Sequence, residues 1–488
     1  MIAALVALAA GSRFLPRTVV GCGSVGICAA MAGLAVAALV AKGTATLALP
    51  IGPPGGAMYL VLDSLSACFL LLLLVVMPCG DTAPLPLAAM SLTVLAGEGF
   101  TLVVGLLLLV LAGAGSLRRY GSALAIYLLL RAWPDLGDLA QPLWLGVPLL
   151  LTGAAIAVIA SLRAALAETL HTVLPVASLP LFAMSLMALG VALFARTVDL
   201  PSVVALALNA AWLALVCHML SRTLLQLCAD AVEAGASTRR LDRLGGLIHR
   251  MQVTAASCLA GLFAIALLPP GLGFAAFWLL LQSLLATARF GDIGLRLLSI
   301  GAVALLALSA GLSALAAVRL FGVVFLGRPR TPRTAVAEEA RRADRHVLCG
   351  LAALIVLLGF LPALALLPAA GWTNAVIGAQ VLVLRAGVEA PGYASIAVAG
   401  LLVIAGIAVF RGLRRMGEQR REPAWSGGFA APPPWLPFGD PATQYGPAAF
   451  VEPLQRIGSL RPSTQAWQLR LLRWRDASLR TATRLVAP

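Results

Sequence analysis

The chain has 488 residues, 61% of them hydrophobic and only 11% charged, and carries a formal net charge of +15. Soluble domains hold roughly 25% charged residues, so water is not the solvent for most of this polypeptide and an ordinary soluble enzyme is excluded. The positive charge sits at helix ends and in short loops without interleaved aromatics, which fits lipid headgroups and the positive-inside bias and speaks against nucleic acid.

Apolar runs long enough to cross a hydrocarbon core of ~30 Å recur at 18–41, 59–79, 83–117, 143–162, 173–195, 200–233, 252–288, 297–326, 346–368 and 392–410. Several hold two spans, which predicts about 11 to 13 membrane helices. The Leu/Ala-rich runs lack the alternation of porin strands, and backbone donors in lipid need internal partners. The expected fold class is therefore all-α, a polytopic helix bundle in the cell's inner or cytoplasmic membrane. Met1 to Ala10 has no basic leader, so insertion through the first helices themselves is expected. Cys22, Cys28, Cys68, Cys79, Cys217, Cys228, Cys258 and Cys349 include no C-x-x-C pair, and neither a metal site, a cofactor nor a disulfide framework is expected.

Along the chain, Asp63 and Glu98 stand where helices begin, and acids there suit the helix dipole as caps. Glu168 and His171 follow Arg163 at a loop or helix start, as a solvated cluster or a lateral way into the membrane. The most informative set is His218, Arg222, Gln226 and Asp230. Their i+4 spacing draws a polar seam down one helix face for roughly 18 Å of rise. Intramembrane polar groups are costly and default functional candidates, so the seam reads as a proton or ion path with His218 as its titrating group. Alternatively Arg222 and Asp230 neutralise each other and bond an adjacent helix as glue. The chain has a single lysine, Lys42, at a helix end; arginine keeps its proton, so a relay based on lysine deprotonation is not open to it.

Further on, Leu268-Pro269-Pro270-Gly271-Leu272-Gly273 removes two amide donors within an apolar run. It reads either as a transporter-like broken helix or as a hairpin turn at the membrane surface. Basic clusters at Arg239, Arg240, Arg243 and Arg250, at Arg328 to Arg345, and at Arg411 to Arg421 all favour the cytoplasm, yet the span count does not bring all three to one side. The loop 327–346 reads as a solvated connection. The membrane region is expected over 1–410, a Pro/Gly-rich surface segment over 411–461, and over 462–488 a basic amphipathic helix lying on lipid or on a partner subunit. No P-loop, G-x-S-x-G, H-E-x-x-H or strand-preceded G-x-G-x-x-G occurs, and no catalytic residue is assigned.

Several stretches resemble the antiporter-like membrane subunits of respiratory complex I and of membrane-bound hydrogenases, nearest to hydrogenase-4 component B and formate hydrogenlyase subunit 3. "HMLSRTLLQL" is similar to H-A-L-F-K-x-L-L-F-L, "RRLDRLGGL" to a loop ending D-R-L-G-G-L, and "LLPPGLGFAAFWLLLQ" to G-L-P-P-L-N-G-F-x-S-E-W-L-L-L-Q. "VRLFGVVFLGRPR" looks like K-x-F-G-I-x-F-L-G-x-P-R, and "YLVLDSLSACFLLLL" resembles an early helix of the family. "WSGGF" and "QYGPAAFVEPLQRI" resemble the tail of the hydrogenase-type members.

The resemblance implies a proton-translocating subunit coupled to redox chemistry, with other membrane subunits as partners. The departures fall on its charged channel positions. The G-W-E-L-M tryptophan and glutamate land on Leu106 and Leu107, the channel lysine of H-A-L-F-K on Arg222, and the acid or lysine after the Pro-Pro break on Phe277. "TLHTVLPVASLPL" puts His171 where D-L-K-R-L-L-A-Y-S-S-I-E-N has its lysine, and between Tyr120 and Tyr127 the chain skips roughly two helices. Leucine carries no proton and arginine practically never yields one, so the resemblance implies a subunit that kept scaffold and assembly surfaces and lost most of the pump. A stand-alone ion or solute transporter and a pure assembly scaffold are the other readings.

Overall fold

The computed structural model describes residues 1–12, 17–41, 44–49, 58–80, 84–112, 114–132, 142–197, 200–287, 293–368, 393–415, 446–447 and 451–452. The expected 462–488 helix, and the Pro/Gly-rich segment apart from 446–447 and 451–452, lie outside the described residues.

Helices α1 (Ile2–Gly11) and α2 (Arg17–Ala41) lead into an antiparallel hairpin, β1 (Ala45–Leu49) and β2 (Met58–Leu62). Then follow α3 (Ser64–Gly80), α4 (Pro84–Val94), α5 (Gly99–Leu111), α6 (Ala114–Arg131), α7 (Pro142–Leu166), α8 (Leu170–Ala177), α9 (Leu179–Thr197) and α10 (Pro201–Ala236). After two 3-10 turns come α11 (Gln252–Ile265), α12 (Leu272–Thr287), α13 (Ile293–Val324), the short α14 (Pro332–Ala335), α15 (Arg342–Phe360), α16 (Ala363–Leu366) and α17 (Ser395–Arg415). Among the described residues seven helical segments are long and apolar enough to cross a membrane, and six more are shorter apolar helices. The bundle is the expected architecture, with the hairpin as an addition. Its second strand was absorbed into the apolar run starting at Tyr59, because "MYLVL" is as hydrophobic as the helix beyond Asp63.

Burial sorts the helices. Nearly every residue of α9 is buried and so is most of α10, which makes these two the axis of the bundle, whereas α17 presents apolar side chains outward along its whole length. Small residues let α7 and α9 approach closely. A Cβ on Gly190 would stand 2.7 Å from the Gly146 carbonyl oxygen and 2.7 Å from the Leu150 nitrogen. In lipid, where tails are as apolar as leucine, such backbone proximity is a main source of helix association.

The Pro-Pro break resolves into a turn between α11 and α12. Gly273 packs on the Ala264 carbonyl, and Gly359 at the end of α15 lies against Pro270 and Gly271, so protein backbone covers the break on that side. Leu268 is exposed at its rim.

The loop 327–346 departs from the expected solvated connection. Arg330 and Thr334 are buried, and Glu339 accepts from the Val253 amide at 2.8 Å and from Thr254 Oγ1 at 2.5 Å. A carboxylate there satisfies amides of the first turn of α11 and meets its positive dipole end. The sequence shows only a polar loop; the orphan amides 85 residues away are what pull it inward.

Loop 325–330 is also tied to loop 237–250. The Gly246 amide donates to the Leu326 carbonyl and the Ile248 amide to that of Phe325, each at 3.0 Å. A Cβ on Gly245 would sit 2.5 Å from the Arg328 carbonyl oxygen, and Gly246 adopts φ +65°. "RRLDRLGGL" and "FLGRPR" are thus two halves of one joint, with Arg330 Nη1 reaching the Leu241 carbonyl at 3.4 Å. Burial pushes the Arg330 guanidinium pKa down, while the Arg240 side chain, paired with Asp242 at 2.7 Å, is pushed up by that bond.

This joint brings two of the three basic clusters to one side. The clusters around Arg239–Arg250 and Arg328–Arg345 are adjacent. Helix α15 leaves that face at Arg342, Ser395 Oγ donates to the Phe360 carbonyl at its far end, and α17 has 21 residues in which to return. At 1.5 Å per residue those cover about 31 Å, a full hydrocarbon thickness. The positive-inside bias predicts a cytoplasmic position for the joint. In a cysteine-free background, Arg243→Cys is expected to escape an impermeant maleimide in intact cells and react after permeabilisation. Labelling in intact cells would reverse the orientation.

Candidate functional site

The seam lies on α10, whose 36 residues carry His218 at mid-length. It faces the broken helix formed by α8 and α9. Pro175 inside α8 and the stop at Ser178 remove regular partners from the carbonyls in this stretch. The α10 side chains supply them. His218 Nδ1 lies 2.8 Å from the Ser178 carbonyl oxygen and Nε2 2.8 Å from Ser122 Oγ of α6. A carbonyl only accepts, so Nδ1 bears the hydrogen, and in the neutral ring Nε2 accepts from the serine hydroxyl. One turn on, Arg222 Nη1 donates to the Pro175 carbonyl at 2.8 Å and to Ser178 Oγ at 3.5 Å.

Towards the basic face the seam meets His171. Gln226 Nε2 donates to Asp230 Oδ1 at 3.1 Å and stands 3.4 Å from His171 Nδ1. His171 Nε2 comes within 2.6 Å of Glu233 Oε2. Glu233 also accepts from Arg239 Nε at 2.5 Å. The structure therefore joins two sets that the sequence left apart, the seam and His171, and adds Glu233 two turns beyond Gln226. The expected mutual neutralisation of Arg222 and Asp230 takes another form: Arg222 serves the carbonyls of the break, while Asp230 meets Gln226 and, at 4.0 Å, His171.

The remaining candidates separate. Glu168 is exposed, and its backbone carbonyl accepts from the Leu241 amide at 3.0 Å. Glu98 occupies the N-cap position of α5, but its carboxylate takes a bond from Thr101 Oγ1 at 3.5 Å and none from a backbone amide. Leu107 projects outward from α5, and Phe277 sits in an aromatic cluster with Phe274, Trp278 and Tyr393. Among the described residues no three His, Cys, Asp or Glu side chains are placed to hold a metal ion.

A second polar cluster escaped the sequence reading. Asp63 accepts from the Ser66 amide at 2.9 Å, as a helix cap, and pairs with Arg131 Nη1 at 2.8 Å. Arg131 also donates to Ser66 Oγ at 3.0 Å, and the buried Tyr127 hydroxyl donates to the Val94 carbonyl at 2.6 Å. Arg131 gave no signal because a terminal arginine on an apolar helix is ordinary and its partner lies 68 residues earlier. A further buried arginine, Arg319 of α13, clasps the Ala165 carbonyl at 2.5 Å and the Pro447 carbonyl at 2.7 Å, tying Pro447 to the end of α7.

The site is thus a broken-helix pair facing a polar stripe inside a helical bundle. Residues 122–300 match the family described as NADH:quinone oxidoreductase/Mrp antiporter, transmembrane, a stretch that holds the whole seam and its Ser122 partner. The chain is homologous to hydrogenase-4 component B of Escherichia coli (strain K12), with 31% identity over 223 residues, 46% of this chain and 33% of the relative. It is likewise homologous to formate hydrogenlyase subunit 3 of the same strain, 31% identical over 215 residues, 44% of this chain and 35% of the relative. The chain thus spans about a third of the length of these two curated relatives. In fold it is similar to a chain in the structure of the membrane-bound sulfane sulfur reductase, an archaeal respiratory membrane complex, with TM-score 0.70 and 16% identity over 99% of this chain and 94% of that one.

Proposed function

We propose that the chain is an antiporter-like membrane subunit of a hydrogenase-type or complex I-like assembly in which proton translocation is impaired, and that it acts mainly as a structural and docking element. The observation that carries this reading is what the seam does with its polar atoms. His218 Nδ1 and Arg222 Nη1 each bond a carbonyl of the α8/α9 break, so the groups best placed to conduct also serve as backbone partners. The leucine at 107 and phenylalanine at 277 support the same reading, since neither side chain exchanges a proton. The seam with water remains the route for any residual conduction.

Affinity purification from the native membrane tests the assembly. Other membrane subunits and hydrogenase-like peripheral proteins are expected to come with the chain. Recovery of a lone chain that transports an ion or solute in vesicles would instead establish a stand-alone secondary transporter. Replacing His218 with Ala in reconstituted vesicles is expected to leave proton uptake at the wild-type level; a clear fall would restore the seam as a working path.

A further inference from the structure

We infer that the seam is one half of a transmembrane polar path, that the Asp63–Arg131 cluster is the other half, and that Ile126 and Ala123 on α6 form the apolar plug between them. The inference rests on the reading above that conduction is impaired, and assigns the block to a place.

The first half runs from the basic face through Glu233, His171 and Gln226 to Arg222 and His218, and ends at Ser122 of α6. The second half opens on the opposite face. Helix α7 ends beside the Thr169–Arg240 bridge on the basic face, so its 25-residue span starts on the other side. Arg131 is joined to that start by residues 132–141, which include Pro134, Asp135 and Asp138. So short and polar a link does not cross a membrane, which puts the end of α6 on the opposite face as well. There Asp63 and Arg131 are each about a quarter exposed, at 26% and 27%. From them Ser66 Oγ bonds Asp63 and Arg131 and lies 3.4 Å from the Tyr127 hydroxyl, which is fully buried.

Both halves end on the same helix. Ser122 and Tyr127 are five residues apart, about 7.5 Å of rise. The interval holds Ala123, Leu124 and Ile126, all buried, and only Ala125 is exposed. Ile126 follows Ser122 by four residues and Ala123 precedes Tyr127 by four, so these two stack in the line between the polar ends. Phe69, with its ring centroid 4.5 Å from that of Tyr127, packs the flank. Water bridges such an interval only where there is room and two or more polar partners, and close-packed aliphatic side chains supply neither.

The full-length chain in vesicles, with a potassium gradient and valinomycin as driving force and a pH-sensitive dye inside, tests the plug. Wild-type flux is expected at background. Ile126→Ser makes space and adds a hydroxyl one turn from Ser122, and is expected to raise flux about tenfold, equivalent to about 1.4 kcal/mol off the barrier. The gain should vanish in I126S/Y127F and in I126S/S122A, and Ile126→Val should stay at background. If Ile126→Ser fails to fold, Ala123→Ser, which adds one oxygen, carries the same expectation. A folded serine variant at background, or a gain that survives Tyr127→Phe, overturns the plug while leaving the proposed assembly role intact. Wild type that already conducts at the variant's rate overturns impaired conduction itself, and failure to co-purify with partners overturns the assembly reading alone.

Discussion

Arg222→Leu is expected to cost about 2 kcal/mol of stability, the worth of a hydrogen bond from a charged donor. The bond lost is the one from Arg222 Nη1 to the Pro175 carbonyl at 2.8 Å, and that carbonyl keeps the Ser178 hydroxyl as a donor at 3.0 Å. Arg222→Lys, which keeps three N–H donors on a shorter reach, should lose less. The measurement is thermal unfolding of the detergent-solubilised chain, with proton uptake recorded in parallel. A backbone-capping role predicts lower stability with unchanged flux. An altered flux at wild-type stability would return Arg222 to the conducting path and count against a mainly structural subunit.

Gly273→Val should be the more damaging change. A Cβ at this position would fall 2.1 Å from the Ala264 carbonyl oxygen and 3.1 Å from Leu267 Cδ2. The first contact is with backbone, so no rotamer relieves it and the start of α12 must move away from α11. Loss of about 3 kcal/mol or more is expected, the upper end of what overpacking costs, seen as poor insertion and early thermal unfolding. Gly301→Ala is the control. Nothing lies within 4 Å of a Cβ there, and the helix-favouring methyl should leave stability within about 1 kcal/mol of wild type or above it. A tolerated Gly273→Val would mean that α11 and α12 are not held together at the break.

The seam was legible because its four residues share one helix, where i+4 spacing alone fixes a face. Ser122 and Ser178 were not, since each is an unremarkable serine until folding sets it against His218 from 96 and 40 residues away. The same holds for Asp63 and Arg131. The sequence showed an acid at a helix start and an arginine at a helix end, both ordinary, and the ion pair exists only because the start of α3 meets the end of α6. Loop 327–346 failed in the other direction. Its charge suggested solvent, yet Glu339 turns inward because α11 begins with amides that need an acceptor.

By itself the sequence determined that the chain is a membrane helix bundle, roughly where its helices run, which break carries the Pro-Pro-Gly turn and which residues form the seam. Apolar length and helical period are local quantities, and lipid leaves the backbone almost no alternative. Only the tertiary structure decided that the basic clusters around Arg239–Arg250 and Arg328–Arg345 are adjacent, that His218 and Arg222 serve the carbonyls of a neighbouring broken helix, and that two polar clusters stop short of each other on α6. Each depends on which helices become neighbours. That choice is made by small residues such as Gly190 and Gly273 and by scattered donors and acceptors, none of which announces its partner along the chain.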